Sequence, residues 1–265
     1  MKFNTIIKEY LGVSNEIIID KIYEKWENKK DNELYSKERF FNNQDDILKL
    51  PEWLADYFKK YNIVPLALGV DLPYCVKNPD SALKIAVFGI NPLRSESDWK
   101  FNFKPNESFI LSSAWGKHFG YVQKQNIELF KRLESEFTLY LSDIQKWYFK
   151  HNGISSEKIP CFNKLCKHME IVDKELNNFK PDFILLFGNQ ACKYFNIKIY
   201  GLTKNKIEIF EKDSRKFIVI PHTSNAVREN MKKQFAEKNG FLHNRKTLGK
   251  DYANLIIETI KNNIH

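Results

Sequence analysis

Residues 83–90, LKIAVFGI, and residues 182–188, DFILLFG, are short apolar runs with a glycine at or next to their ends. Strands with apolar side chains on both faces are typical of a parallel sheet that helices cover on both sides. A glycine that follows such a run marks a turn. The two runs therefore predict central strands of an α/β fold with a mainly parallel sheet.

The surrounding segments predict the remaining strands and the helices that cover them. Residues 137–144, FTLYLSDI, predict a third strand, and residues 206–222 predict a hairpin whose second strand contains FIVI. Helical periodicity is found in residues 166–179, in residues 189–197 and in DYANLIIETIKNNI near the end of the chain. We expect a three-layer α/β/α domain over residues 81–265.

Residues 1–80 have a different pattern. IIIDKIYEKW (17–26) and LPEWLADYFKKY (50–61) place apolar residues three and four positions apart, which predicts helices. We therefore expect an N-terminal helical extension that packs on the core and is not an independent domain.

The positive charge is concentrated in the last part of the chain. The 265 residues contain 42 Lys and Arg against 33 Asp and Glu, a formal net charge of +9. Residues 191–265 contain 15 basic and 7 acidic side chains, whereas residues 1–60 contain 11 and 12. This asymmetry favours a polyanionic partner, of which nucleic acid is the commonest. A solvated lysine-rich surface is the alternative.

Composition argues against several classes of protein. The longest apolar runs are shorter than the roughly 18 residues that a membrane-spanning helix needs, and the first residues do not resemble a secretory signal. Four scattered cysteines do not form a disulfide framework. We expect a cytoplasmic monomer with reduced thiols and no membrane association. An iron–sulfur cluster or a zinc site at Cys161, Cys166 and His168 is a less favoured alternative.

Polar residues follow four of the predicted strands. Ligands of open α/β sheets bind beyond the carboxyl ends of the strands, so the sequence predicts a site there. Taken singly, each strand end is a weak signal, because glycine commonly marks a turn and a histidine in a loop is commonly structural. The four ends are Gly89-Ile90-Asn91-Pro92, Ser142-Asp143, Gly188-Asn189-Gln190 and His222-Thr223-Ser224-Asn225.

Taken in order, these segments resemble the motifs of the uracil-DNA glycosylase superfamily. VFGINP (87–92) is similar to the first motif, whose Gly-x-Asn/Asp-Pro turn holds the catalytic water, and its form is closest to the mismatch-specific and single-strand-selective branches. FTLYLSDIQKW (137–147) is similar to the strand whose end reads the flipped base. KELNNFKPDFILLFGNQA (174–191) resembles a helix–Pro–strand–Gly segment. VIPHTSN (219–225) resembles the last motif, usually His-Pro-Ser, which supplies the catalytic histidine.

The resemblance implies a monofunctional DNA glycosylase, which flips a damaged or modified pyrimidine out of DNA and hydrolyses its N-glycosidic bond. It implies that His222 stabilises the departing base and that Asn91 positions water, with Asp143 as the base reader or as a rival for the water. It implies base binding by Gly89, Ile90, Pro92, Phe101, Phe103, Ser142 and Asn189. It implies DNA binding by Ser224, Asn225, Arg228, Lys232, Lys233, Lys204 and Lys206. No metal and no organic cofactor is implied.

Three positions depart from the pattern of the superfamily. Leu93 stands where related branches usually have Gly, and Thr223 stands where they have Pro. These two leave open a catalytically weak protein that binds or senses modified DNA; a hydrolase of free nucleosides is a weaker alternative. Asp143 stands where Asn is common. An ionised carboxylate only accepts hydrogen bonds, which suits the N4 amino group of a cytosine derivative, such as that of phage DNA.

Overall fold

The computed structural model describes most of the chain, and its residues divide into two compact units. Unit 1 comprises Met1–Pro73, Asn91–Tyr121 and Asp143–Asn178, and unit 2 comprises Tyr74–Ile90, Val122–Ser142 and Phe179–His265. This division differs from the boundary that we predict after residue 80. The residues described are 6, 11, 19–21, 23–24, 48–65, 67–90, 108–113, 115, 124–151, 154–155, 168–198, 206–223 and 229–264.

The described chain contains strands and helices in mixed order. In order, they are β1 (Leu48–Lys49), α1 (Glu52–Lys60), β2 (Ala67–Leu72), β3 (Tyr74–Val76), β4 (Lys84–Gly89), β5 (Ser108–Ser113), α2 (Lys124–Glu134), β6 (Thr138–Asp143), β7 (Trp147–His151), β8 (Ile154–Ser155), α3 (His168–Phe179), β9 (Phe183–Phe187), α4 (Gly188–Tyr194), β10 (Ile209–Lys212), β11 (Arg215–Ile220), α5 (Glu229–Lys238) and α6 (Leu248–Lys261). None of the helices within these described segments is long and apolar enough to cross a membrane.

The larger sheet has a parallel centre, which confirms the predicted α/β fold. Its strands lie in the order β10-β11-β9-β4-β6-β3. Both β11 and β4 pair with β9 in parallel, while β10 and β3 pair antiparallel to their neighbours at the two edges. The Thr138 N–H donates to the Leu83 carbonyl at 3.0 Å. Leu83 lies directly before β4, and Thr138 is the first residue of β6. The two neighbouring strands therefore start at the same edge of the sheet and run in the same direction.

Apolar burial on both faces holds this sheet in the interior of unit 2. All five residues of β9 are buried, as are Ile85–Gly89 of β4. Helix α6 turns Tyr252, Ala253, Ile256, Ile257 and Ile260 inward at helical spacing, and all five side chains are buried. Burial of an isoleucine side chain contributes roughly 1.5–3 kcal/mol to folding. Helix α6 packs on α2 and thereby contributes to the apolar core of unit 2.

Unit 1 contains a second sheet, which the sequence patterns do not predict. Its strands lie in the order β1-β5-β2-β7-β8, and β2 pairs in parallel with β5 and antiparallel with β7. Helix α1 packs on β7 through edge-to-face ring contacts, Trp53 with Trp147 and Phe58 with Phe149. The description of residues 1–80 as helical is therefore wrong in part, because β1, β2 and β3 lie among them.

A fully buried ion pair lies in unit 1. The Lys146 ammonium is 2.7 Å from a carboxylate oxygen of Glu175 on α3, and each side chain is 1% exposed. The same ammonium donates to the Asp143 carbonyl oxygen at 2.5 Å. Burial of two charges costs several kcal/mol per ion unless they compensate each other. The pair therefore ties α3 to the turn that follows β6.

Replacement of one partner of this ion pair should destabilise the protein strongly. Glu175→Gln leaves the buried ammonium without its counter-charge, and we expect the free energy of unfolding to fall by about 3–5 kcal/mol. Urea unfolding followed by circular dichroism measures this loss.

The double variant Lys146→Met/Glu175→Leu serves as the matched control. It removes both charges and fills the site with apolar atoms, so its stability should stay near that of the wild type. If Glu175→Gln is as stable as the double variant, the charge compensation described above is not what holds α3.

Candidate active site

Four strands of unit 2 end at one edge of the sheet. Gly89 ends β4, Gly188 follows β9, and His222 lies two residues beyond the end of β11. Ser142 is fully buried near the end of β6. Because these strands run in the same direction, their carboxyl ends lie side by side, and the structure brings the described strand-end residues to one edge.

The turn from β9 into α4 lies in contact distance of His222. Gly188 has φ +81°, a backbone conformation that side chains with a Cβ rarely adopt. A Cβ added at Gly188 would lie 4.0 Å from the Cβ of His222. The ring of Phe187 meets the imidazole edge-on, with ring centroids 5.8 Å apart. The end of β9 therefore forms one wall against His222.

The imidazole of His222 is held in its neutral form. Burial lowers its pKa to about 4, and the positive charge of Lys232 lowers it further in the same direction. At neutral pH the ring therefore has one N–H donor and one acceptor nitrogen. A neutral imidazole suits a role as hydrogen-bond donor to a developing anion.

Thr223, directly after His222, is held from two sides. Its hydroxyl donates to the side-chain oxygen of Asn126, the third residue of α2. Its carbonyl accepts a hydrogen bond from the Lys232 ammonium of α5 at 2.9 Å. Thr223 is completely buried and Asn126 nearly so. The backbone that follows His222 is thus connected to two different helices.

Lys232 is not part of an exposed basic surface. Its side chain is 1% exposed, and burial lowers its pKa below the ordinary value. The expectation of an exposed phosphate-binding Lys232 is therefore wrong. Lys206 and Lys233 are exposed, as expected, while Lys204, Ser224, Asn225 and Arg228 lie outside the described residues.

A charged cluster fixes the start of α5. Glu229 contacts the side chain of His243 and accepts a hydrogen bond from Arg245 Nε at 3.0 Å. These hydrogen bonds, that of Arg245 foremost, lower the pKa of Glu229 to about 2. The ionised carboxylate lies in the first turn of the helix, where negative charge is favourable. The cluster thereby orients the helix that carries Lys232.

Asp143 belongs to unit 1 and is the last residue of β6. It is 4% exposed, and its carbonyl accepts the hydrogen bond from Lys146 described above. A carboxyl group with this burial is unusual outside a paired or functional setting. Of the other candidates, Ile90 is half-buried and Asn189 is exposed in the first turn of α4.

Several candidates lie outside the described residues. They are Asn91, Pro92, Phe101 and Phe103, together with Cys161 and Cys166 of the alternative metal site. Within the part of the chain that the structure describes, no group of three or more His, Cys, Asp or Glu side chains could hold a metal ion. Cys75 and Cys192 carry free thiols.

The sequence also matches a known protein family. A sequence profile of the Uracil DNA glycosylase superfamily matches residues 76–244, more than half of the chain. The protein therefore belongs to the uracil-DNA glycosylase superfamily, whose members generally are DNA N-glycosylases and bind DNA. None of the curated proteins compared with the sequence matches it significantly.

Binding to DNA should weaken with salt, and the exposed lysines of unit 2 should contribute to this dependence. The double variant Lys206→Ala/Lys233→Ala should make fewer phosphate contacts, so its binding releases fewer counterions from the DNA. The log–log slope of affinity against salt concentration should therefore become shallower by about 1–2. Fluorescence anisotropy at several salt concentrations measures the slope.

The control removes two exposed lysines of unit 1, in the variant Lys21→Ala/Lys59→Ala, and should leave the slope unchanged. An equal change in both variants would mean that net charge, and not a local footprint, sets the salt dependence.

Proposed function

We propose that the protein is a monofunctional DNA glycosylase, which hydrolytically excises a modified or damaged pyrimidine and leaves an abasic site. The observation that carries the proposal is the neutral, largely buried His222 at the carboxyl edge of the sheet, within the region that matches the superfamily. The basic surplus of residues 191–265 supports DNA as the substrate over a free nucleoside.

The proposed reaction breaks the bond between C1′ of the sugar and the base. Its transition state resembles an oxocarbenium sugar with a departing anionic base. A hydrogen-bond donor aimed at O2 of the base stabilises this anion, and removal of one such donor typically costs about 10²–10³ in rate. His222 suits this role, because its neutral imidazole carries one N–H that can donate to the anionic oxygen of the base.

The second requirement is a water molecule on the opposite face of the sugar. Asn91 is the proposed holder of this water, through its carboxamide oxygen. Asp143 is the alternative, as a buried carboxylate at the end of β6. An amide is a weak base, so a reaction that relies on Asn91 depends on the quality of the leaving base and on the stabilisation that His222 supplies.

Base release from defined DNAs tests the proposed activity. Mass spectrometry of the bases released from DNA with uracil, mismatched thymine, hypoxanthine or modified cytosines should detect at least one product. His222→Ala should lower the single-turnover rate by about 10²–10³ with little change in DNA affinity, because the lost interaction acts in the transition state.

Glu237→Ala is the control, an exposed residue near the end of α5 with no proposed role. It should release base at the wild-type rate. Tight binding of modified DNA without any released base would overturn the enzyme and favour a sensor of modified bases.

We further propose that Asp143 directs the enzyme to a cytosine derivative. An ionised carboxylate accepts a hydrogen bond from the N4 amino group of cytosine. O4 of uracil is itself an acceptor, so it would repel the carboxylate. The short contact from Lys146 to the Asp143 carbonyl supports a fixed backbone at this position. Excision of ordinary cytosine would damage the host genome, so a modified cytosine of foreign DNA is the proposed substrate, with repair of damaged DNA as the alternative role.

Replacement of the Asp143 carboxylate by a carboxamide should change which base the enzyme prefers. We expect wild-type protein to prefer hydroxymethylated or glucosylated cytosine over uracil in the same DNA, and Asp143→Asn to shift the ratio of released bases toward uracil. Competition experiments with both bases in one reaction measure the ratio. A strong wild-type preference for uracil would rule out the proposed base.

A further inference from the structure

We propose that Lys232 and Asn126 are positioning residues, which hold His222 in place for base release by clamping the neighbouring Thr223 from two sides. This inference rests on the proposed glycosylase function and deepens it. The sequence patterns give no role to Asn126 and a different role, contact with phosphates, to Lys232.

The clamp consists of two buried hydrogen bonds to one residue. The Lys232 ammonium reaches the Thr223 carbonyl at 2.9 Å, and the Thr223 hydroxyl reaches the Asn126 amide oxygen. All three residues are buried. A buried polar group that loses its partner pays the full cost of desolvation, so the clamp resists opening. Asn126 precedes Thr223 by 97 positions, and the clamp therefore connects distant parts of the chain.

The two hydrogen bonds restrict the backbone that follows His222. Threonine has no ring that fixes its φ, whereas a proline ring fixes φ near −65°. The conformation of the backbone at Thr223 therefore depends on contacts with other elements, and the bonds to Asn126 and Lys232 supply them.

Lys232 also acts on His222 through its charge. Its positive charge adds to burial in lowering the pKa of His222. The Cys192 thiol of α4 donates to the Gly188 carbonyl at 3.4 Å, and burial raises the pKa of this thiol to about 11. The pKa of Lys232 itself is lowered mainly by burial; the charge of Glu229 opposes this shift, and the charge of Arg245 adds to it. The charge of Lys232 thus opposes protonation of His222.

Two replacements of Lys232 separate its hydrogen bond from its charge. Lys232→Met removes both, whereas Lys232→Gln removes the charge and keeps a donor. Lys238→Met, an exposed lysine at the end of the same helix, is the control for loss of charge. NMR titration of the imidazole measures the pKa of His222 without any substrate, and single-turnover base release as a function of pH measures the catalytic effect.

We expect Lys232→Met to raise the pKa of His222 toward its ordinary value of about 6.5. The rate of base release should fall about 10–100-fold, as for a misplaced catalytic group. Lys232→Gln should show the same pKa change with a smaller loss of rate. Lys238→Met should change neither quantity.

Asn126→Ala and Thr223→Val test the hydrogen bond between the Thr223 hydroxyl and Asn126. These two variants also test the clamp if the Lys232 variants do not fold. Both should lower the rate while His222 keeps its low pKa, because the charge of Lys232 remains. An unchanged pKa in Lys232→Met would overturn the electrostatic action of Lys232, and an unchanged rate in both Asn126→Ala and Thr223→Val would overturn the clamp. A wild type that releases no base from any substrate would overturn the proposed function, whereas the titration still measures the action of Lys232 on His222 without substrate.

Discussion

The complete burial of β9 is the constraint on which the rest of unit 2 depends. A strand with no exposed residue must lie inside the sheet and be covered by helices on both faces. Its neighbours β4 and β11 run parallel to it, and parallel neighbours require crossover connections. The carboxyl ends of all three strands then lie at one edge. Any polar residue that follows them, His222 included, is brought there by the packing of apolar side chains elsewhere.

Two lysines perform the same task in the two units. Lys146 donates to the Asp143 carbonyl after β6, and Lys232 donates to the Thr223 carbonyl after β11. Each is almost fully buried, and each holds the backbone beside a residue with a proposed role in base recognition or catalysis. Lys146 has a buried partner in Glu175, whereas Lys232 has a depressed pKa and acts electrostatically on His222. A flexible side chain thus serves as a rigid support when its ammonium is desolvated and bonded.

The strands of the larger sheet could be predicted because their signals are local. An apolar run followed by a glycine, as in β4 and β9, needs no information from distant residues. The strand β2 gives no such signal, because ALGVDL contains Gly69 and Asp71, which are both rare in strands. The burial of Lys232 could have been predicted weakly from the sequence, because Lys232 lies three and four positions before the apolar Phe235 and Ala236, on the buried face of the helix. The pairing of Asn126 with Thr223 could not have been predicted, because it is made only by the tertiary fold.

The buried lysines also constrain how the sequence can drift. Only six of the 42 basic residues are arginine, and exposed lysines can exchange with arginine at little cost when the base composition of a genome changes. A guanidinium is a planar fork that differs in shape and hydrogen bonding from an ammonium, so it does not fit a slot built around a single point donor. In a lineage with arginine-rich codon usage, positions 146 and 232 should therefore stand out as lysines in a chain that has otherwise lost them.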